Sequence, residues 1–501
     1  MADNLFQHFL QAAKDPGKTL LTSPDKSSLT VGQAFAIAAR LANVLVRHGV
    51  APGDRVAVQV EKSPFALMLY FACLRAGAVY LPLNTGYTPA ELSYFVGDAA
   101  PRLLVCSDKK RDEIAAALPD ARILTLSDDG TSGTLAAEAA QAPPEFADAA
   151  VSMNDLASIL YTSGTTGRSK GAMLTHGNLF SNADSLRQAW RFSDKDVLLH
   201  ALPIFHTHGL FVATNVTMLS GAGLILLPKF DLDMIFDALP GATVLMGVPT
   251  FYTRMLSDNR LDKAAASHVR LFVSGSAPLL AETHRQWQAR TGHAILERYG
   301  MTETNMNTSN PYEGARVPGS VGLPLPGVEV RITDKEGQPL PQGDVGMIEV
   351  RGPNVFKGYW RMPEKTAQEF RPDGFFITGD LGMIDAQGYV HIVGRDKDLI
   401  ITGGFNVYPK EIESLLDEAP GVEESAVVGL PHADFGEGVT AFIVRRKGAN
   451  VSEDELLGSL KDQLARFKHP KRVIFVEQLP RNTMGKVQKN LLRDRHRNLY
   501  G

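Results

Sequence analysis

The sequence predicts an α/β protein: a large N-terminal domain of α/β sheets with a β-rich subdomain, then a small α+β C-terminal domain. Three observations lead there. Helix-like and strand-like segments alternate from about residue 30, hairpin signals cluster between about 320 and 395, and the composition changes again after Gly394-Arg395.

Residues 31–48 are rich in Ala and Leu at helical spacing and stop at Gly49, a C-cap residue. Residues 55–60 are short and β-branched, a strand. Helix is predicted again over 63–76 and 89–98, and strand over 78–83 and 101–106. Such βαβ alternation gives a largely parallel sheet buried on both faces. In the next part, Asp334-Lys335-Glu336-Gly337 and Asp385-Ala386-Gln387-Gly388 separate short strands and read as hairpin turns. The last stretch has strands at 424–429, 440–445 and 472–476 around helices at 409–417 and 453–465. The domains are therefore set at 1–396 and 397–501, with the β-rich subdomain at about 320–395. An Ala-rich region near 134–150 reads as solvated loop or helix.

The bulk numbers exclude several classes. The chain has 501 residues, 44% hydrophobic and 21% charged, ordinary for a globular protein with a sizeable core. Lys plus Arg number 51 against 55 Asp plus Glu, so no polyanion surface is indicated and no nucleic-acid partner is expected. Two cysteines, Cys73 and Cys106, lie in apolar stretches and read as buried small hydrophobes in a reducing compartment. No signal peptide is visible, and the apolar run at 221–228 is too short to span a bilayer. The expected location is the cytoplasm, with no membrane partner.

The most informative segment is Tyr161-Thr162-Ser163-Gly164-Thr165-Thr166-Gly167-Arg168-Ser169-Lys170-Gly171, directly after an apolar strand candidate. Its glycines let the backbone turn N–H groups toward an anion, and its hydroxyls and Lys170 add donors and charge. That is a phosphate cradle, without the spacing of a Walker A loop. A Ser/Gly surface turn is the alternative.

In sequence order there follow Leu202-Pro203-Ile204-Phe205-His206, Tyr299-Gly300-Met301-Thr302-Glu303-Thr304, Thr378-Gly379-Asp380, Gly394-Arg395-Asp396-Lys397-Asp398, Gly404-Phe405-Asn406 with Pro409 and Glu411, and Pro480-Arg481-Asn482-Thr483-Met484-Gly485-Lys486. With the loop, this series resembles the adenylate-forming superfamily of acyl-CoA synthetases, peptide-synthetase adenylation domains and firefly-type luciferases. The resemblance covers essentially the whole chain. It implies ATP, Mg²⁺ and coenzyme A, and two half-reactions: a carboxylate attacks the α-phosphate, then the thiol displaces AMP.

Roles follow from the same resemblance. Thr162, Ser163, Gly164, Thr165, Thr166, Gly167 and Lys170 hold phosphates, and Thr302 touches the α-phosphate. Glu303, with Thr162, holds the metal. Asp380 accepts from the ribose hydroxyls, Arg395 contacts the same sugar or a phosphate, and Gly275, Ser276, Glu297, Tyr299, Gly300 and Asn406 complete the ATP site. Lys486 bridges carboxylate and α-phosphate in adenylation. The C-terminal domain is implied to swing about Lys397, bringing Gly403, Gly404 and Phe405 over the site as the coenzyme A channel. Relatives are switched off by acetylation of the corresponding lysine, which implies a lysine acetyltransferase and deacetylase as partners acting on Lys486.

The acid is set by the acyl pocket, where His206, Ser276, Met301 and two arginines, Arg254 and Arg298, are placed. An arginine fork matches a second carboxylate, whereas a fatty or aromatic acid wants an apolar wall. Equally, Arg298 can pair with Glu297 or Glu303, and Arg254 can lie on a solvated helix face. Residues 297–309, 354–361 and 480–489 resemble malonyl-CoA synthetases, which implies malonate and leaves methylmalonate open. His206 and His208, two residues apart without Cys or acidic partners, make a poor metal site. The competing readings are a short-chain monocarboxylate–CoA ligase, a stand-alone adenylation enzyme and a silent binding protein. A peptide-synthetase unit usually carries Asp where His206 stands, and Lys170, Glu303, Asp380, Arg395 and Lys486 together argue against silence.

Overall fold

The computed structural model describes residues 3–162, 169–461, 463–482 and 485–501. Two large sheets form the N-terminal domain. In one, strands Leu156–Thr162, Val79–Pro82, Arg55–Gln59, Leu103–Ser107 and Ile123–Leu126 run parallel, with Lys170–Thr175 and Gly358–Tyr359 antiparallel at the edge. In the other, Leu296–Met301, Leu271–Ser274, Val244–Gly247, Val197–His200, Gly223–Leu226 and Thr19–Thr22 run parallel, with antiparallel strands at both edges.

Helices cover these sheets for reasons the sequence carries. Pro64–Ala76 starts on Ser63, whose hydroxyl accepts the Ala66 N–H, has Pro64 in its first turn and ends on left-handed Gly77. It is buried along nearly its whole length, so it lacks a polar face and sits between layers. Val31–Arg47 packs beside it from a capping box on Thr30 and Gln33. The Ala-rich region forms the helix Thr134–Ala140, which buries Leu135 and Ala139, so it is packed where solvation was an open expectation. Cys73 and Cys106 are free and buried.

Glu329–Thr333, Gly346–Arg351, Phe376–Ile384 and Val390–Arg395 form a four-stranded antiparallel sheet, the expected β-rich subdomain. Its last two strands turn at Asp385–Gly388, where the Gly388 N–H meets the Asp385 carbonyl at 2.9 Å. The small C-terminal domain centres on Gly436–Arg445, antiparallel to Val422–His432 and parallel to Arg472–Phe475. The helix expected over 453–465 ends at Leu460, whose own side chain is buried against the sheet. Among the described residues no helix is long and apolar enough to cross a membrane.

Candidate active site

Four neighbouring parallel strands of the larger sheet end at one place. Val197–His200 leads into His206 and His208, Val244–Gly247 into the helix Pro249–Leu256, Leu271–Ser274 into Gly275 and Ser276, and Leu296–Met301 into Thr302 and Glu303. Carboxyl ends of parallel strands are where α/β sheets bind ligands, because the loops there diverge over a crevice.

Side chains alternate along Leu296–Met301, so Glu297 and Arg298 point to opposite faces and cannot pair. Glu297 is buried, faces His284 at 3.6 Å and accepts the Gly319 N–H at 3.4 Å; burial pushes its carboxyl above the usual range. Arg298 is 4% exposed, and its Nε and Nη2 have no hydrogen-bond partner among the described residues. Burial pushes this guanidinium down to about 9, with only Tyr252 acting against it. Gly275 lies flat against it: a Cβ there would sit 2.3 Å from Arg298 Cζ. His208, also buried, holds the Ser276 hydroxyl at 3.2 Å through Nδ1, and its imidazole is driven well below its normal range by burial and by Arg298. Ser276 takes a left-handed φ of 70°, a strained backbone of the kind found at binding sites. His206, pushed down to about 3 by burial and by Lys486, is neutral too. Among the described residues the pocket thus offers an unpaired guanidinium beside the uncharged imidazole of His208, with His206 uncharged beside Lys486.

Arg254 does not join it. It is exposed on its helix, with its guanidinium 5.9 Å from the Phe230 ring, so of the two arginines only Arg298 is buried and the solvated-face alternative holds for Arg254. The buried face of that helix carries Phe251, Tyr252 and Met255.

Just beyond strand Leu296–Met301, Glu303 is buried and accepts the Tyr359 hydroxyl at 3.0 Å. Burial raises its carboxyl, against the pull of Lys170 and Arg395. Lys170 lies 4.2 Å from the Tyr359 ring centre and 3.7 Å from Glu369. Thr302 is half-buried beside Glu303, and the Thr162 hydroxyl meets the Lys170 carbonyl at 3.4 Å. Ser163, Gly164, Thr165, Thr166 and Gly167 fall outside the described residues. Among the described residues no cluster of three or more His, Cys, Asp or Glu forms a metal cage. One buried carboxylate still suits Mg²⁺, which is commonly held by one or two carboxylates together with substrate phosphates and water.

The antiparallel sheet contributes Asp380, buried, with Tyr299 Oη at 2.5 Å on one oxygen and Arg395 Nε at 2.5 Å on the other. Asp380 holds the Arg395 guanidinium above its usual range. From the C-terminal domain comes Lys486, on a turn where its N–H meets Asn482 Oδ1 at 3.0 Å. Lys486 keeps solvent access within a cleft walled by protein. Crowding and Arg395 push its ammonium below the usual lysine range, while Asp380 and Glu303 pull it back. Arg285 of the N-terminal domain donates to Glu418 of the C-terminal one at 3.1 Å.

Lys397 is exposed in the short 3-10 turn Asp396–Asp398 between the two sheets. Gly403, Gly404, Phe405 and Asn406 are exposed, and Phe405 stacks on Phe467 of its own domain at 4.7 Å. Among the described residues no hydrogen bond or ion pair joins that hairpin, Asn406 included, to Lys486, Asp380, Glu303 or Arg395. Sequence reading gave no role to Tyr359 or Tyr252. Tyr359 sits inside the stretch that resembles known synthetases, which was the available signal; Tyr252 is one aromatic among several in an apolar helix, and nothing marks it.

A fold of two α/β sheets, with a buried acid and lysines converging on strand ends, is that of a nucleotide-dependent acid-activating enzyme. The chain belongs to the AMP-binding enzyme family, the acyl-CoA synthetase superfamily: that family model matches residues 9–360, and the AMP-binding enzyme C-terminal domain matches 411–486. It is 62% identical to ATP-bound MatB from Rhodopseudomonas palustris, with a TM-score of 0.98 and 100% of each chain covered. Against the apo form of that protein the TM-score is 0.87 at 62% identity, again with 100% of each chain covered. Feruloyl-CoA synthase of an Amycolatopsis species is 38% identical, covering 94% of each chain. Malonate–CoA ligase of Arabidopsis thaliana is 35% identical, covering 98% of this chain and 88% of its own.

Proposed function

We propose that the protein is an ATP-dependent, AMP-forming malonate–CoA ligase. The observation that carries the acid is Arg298, a buried guanidinium with two unpaired nitrogens beside the uncharged His208. An uncompensated buried cation is costly, so its retention points to an anionic partner brought by the substrate. Malonate supplies one: one carboxylate lies on Arg298 while the other, one carbon away, is presented to ATP. The likeness to a malonate–CoA ligase over nearly the whole chain supports the same choice.

Lys486 neutralises charge where the reacting carboxylate meets the α-phosphate, and Thr302 donates to that phosphate. Asp380 accepts from the ribose, with Tyr299 and Arg395 fixing its carboxylate. Gly275, Ser276, Glu297 and Gly300 line the nucleotide and acyl sides, Met301 closes the acyl end, and Lys170 with residues 162–167 holds the leaving pyrophosphate. Glu303, with Thr162, would hold Mg²⁺, which supplies charge neutralisation on phosphate oxygens. Attack releases pyrophosphate and leaves malonyl-adenylate; the coenzyme A thiol then displaces AMP.

For that second step the C-terminal domain, taken from residue 397, turns about Lys397 and brings Gly403, Gly404 and Phe405 to the cleft. The better match to the ATP-bound than to the apo relative supports reading the present arrangement as the adenylating one. Two buried free thiols fit the reducing cytoplasm.

The test is AMP release in the presence of coenzyme A with malonate, methylmalonate, succinate, acetate and propionate, for wild type and Arg298→Ala. Turnover with malonate, alone or with its methyl homologue, lost in the variant, supports the proposal. Preference for acetate or propionate, indifferent to Arg298, keeps a CoA ligase and discards malonate.

A further inference from the structure

Lys62 is 8% exposed and has no assigned role, and burial pushes its ammonium well below the usual lysine range. It stands just beyond strand Arg55–Gln59 of the smaller sheet, yet its Nζ reaches the end of Val197–His200 in the larger one. There it meets His200 Nδ1 at 2.9 Å, the His200 carbonyl at 2.7 Å and the Leu202 carbonyl at 2.8 Å. Three acceptors around Nζ match the three N–H donors of the ammonium form and hold it against the burial that favours the neutral amine, with Nδ1 accepting. The His200 proton is then on Nε2, which donates to the Gly209 carbonyl at 2.8 Å. Thr214 donates to that same carbonyl at 3.0 Å.

The consequence is a loop closed at both ends. Its Leu202 end hangs on Lys62, and its Gly209 end hangs on His200. Gly209 also presses on Pro203 so closely that a Cβ would fall 2.0 Å from the Pro203 oxygen. Between these anchors stand His206, Thr207 and His208, facing Lys486 and Arg298. From there the chain enters the π-helix His208–Thr214, a form that recurs at functional sites.

We infer that Lys62 is a positioning residue for substrate recognition: through His200 and Leu202 it fixes the loop that sets His206 beside Lys486 and His208 beside Arg298. The inference rests on the ligase reading above. A methionine would fill the same volume without burying a charge, so packing alone does not account for a lysine there. The buried positive charge also keeps His200 uncharged, which the donor order of the chain requires; burial is the larger cause and Lys62 the second.

The experiment compares Lys62→Met, His200→Gln and the double variant in acid-dependent ATP–pyrophosphate exchange, with melting temperatures alongside. The expected result is a KM for malonate raised about tenfold or more in each single variant and a malonate-over-acetate preference reduced by a similar factor. KM for ATP stays within about twofold, and the double variant is no worse than the worse single, because both break one chain of contacts. A folded Lys62→Met enzyme with unchanged malonate KM overturns the inference. So does a parallel rise in both KM values, or full additivity of the two substitutions. Where Lys62→Met does not fold, His200→Gln alone decides by the same KM split. If wild type prefers another acid, the malonate reading fails separately and the Lys62 inference is judged on the KM of that acid.

Discussion

Asp380 and Arg395 face each other as register partners across two antiparallel strands, with Arg395 Nε 2.5 Å from Asp380 Oδ1. The same carboxylate takes the Tyr299 hydroxyl on its other oxygen, so strand pairing and two side chains fix its orientation before any nucleotide arrives. Asp380→Asn removes a charged acceptor, whose hydrogen bonds are each worth about 1.5–3 kcal/mol, and should raise KM for ATP about 10–100-fold. Tyr299→Phe leaves the carboxylate in place and should cost less than Asp380→Asn. Initial rates at varied ATP and saturating malonate measure both, and equal damage would mean that orientation rather than charge is what Asp380 provides.

Much of this centre was legible in the sequence because backbone geometry is local. A Thr-Gly-Asp on one strand of a hairpin carries its placement with it. What failed were side chains whose direction depends on packing. Arg254 and Arg298 are both arginines beside pocket segments, but Arg298 alternates inward on a strand, whereas Arg254 sits on the outer side of a helix that buries Phe251, Tyr252 and Met255. Lys62 was illegible because its three partners lie 138 to 140 residues away, on a different sheet. Placement of the Gly403–Phe405 hairpin depends on which way a whole domain is turned, and no local pattern encodes that.

Asp417 gives the C-terminal domain its own pH dependence. Burial raises its carboxyl to about 6, against Lys410 and the Ser425 hydroxyl at 2.7 Å. The sign follows from linkage: the folded domain holds this proton more tightly than the unfolded chain, so stability from this group falls as pH rises from about 4 to about 6. Asp417→Asn removes the dependence. Its stability relative to wild type should therefore grow across that window by about 2–3 kcal/mol, one pKa unit being worth about 1.4 kcal/mol. Chemical unfolding at pH 4, 5 and 6 reads this directly, and a constant difference at all three would reject it.

Lys486→Ala should separate the half-reactions. Its ammonium lies among Asp380, Glu303, Arg395 and Arg298, where the proposed first half-reaction would build charge and the proposed thioester step would have no use for it. Malonate-dependent pyrophosphate exchange should fall by about 100-fold or more, the scale of losing one aimed charge at a transition state. Thioester formation from supplied malonyl-adenylate should stay within about threefold, a margin that corresponds to less than 1 kcal/mol. Because Lys486 keeps solvent access, acetylation by a protein acetyltransferase should reproduce the variant and deacetylation should reverse it. Equal loss of both half-reactions would remove the role.

Arg298 sets function against stability. Its guanidinium is desolvated and unpaired among the described residues, so the apo protein bears the cost of a buried charge. Arg298→Met fills similar volume without the charge, and should stabilise the apo protein by about 1–3 kcal/mol. Thermal melts of both proteins measure this, and a second melt with malonate and a non-hydrolysable ATP analogue measures the compensation. Wild type should gain more than the variant from malonate, since only wild type has a cation for the second carboxylate to neutralise. The variant should also lose its preference for malonate over propionate in AMP release. A variant that melts lower than wild type and still gains equally from malonate would mean that Arg298 is a structural contact satisfied within the protein, and the acid would have to be recognised elsewhere.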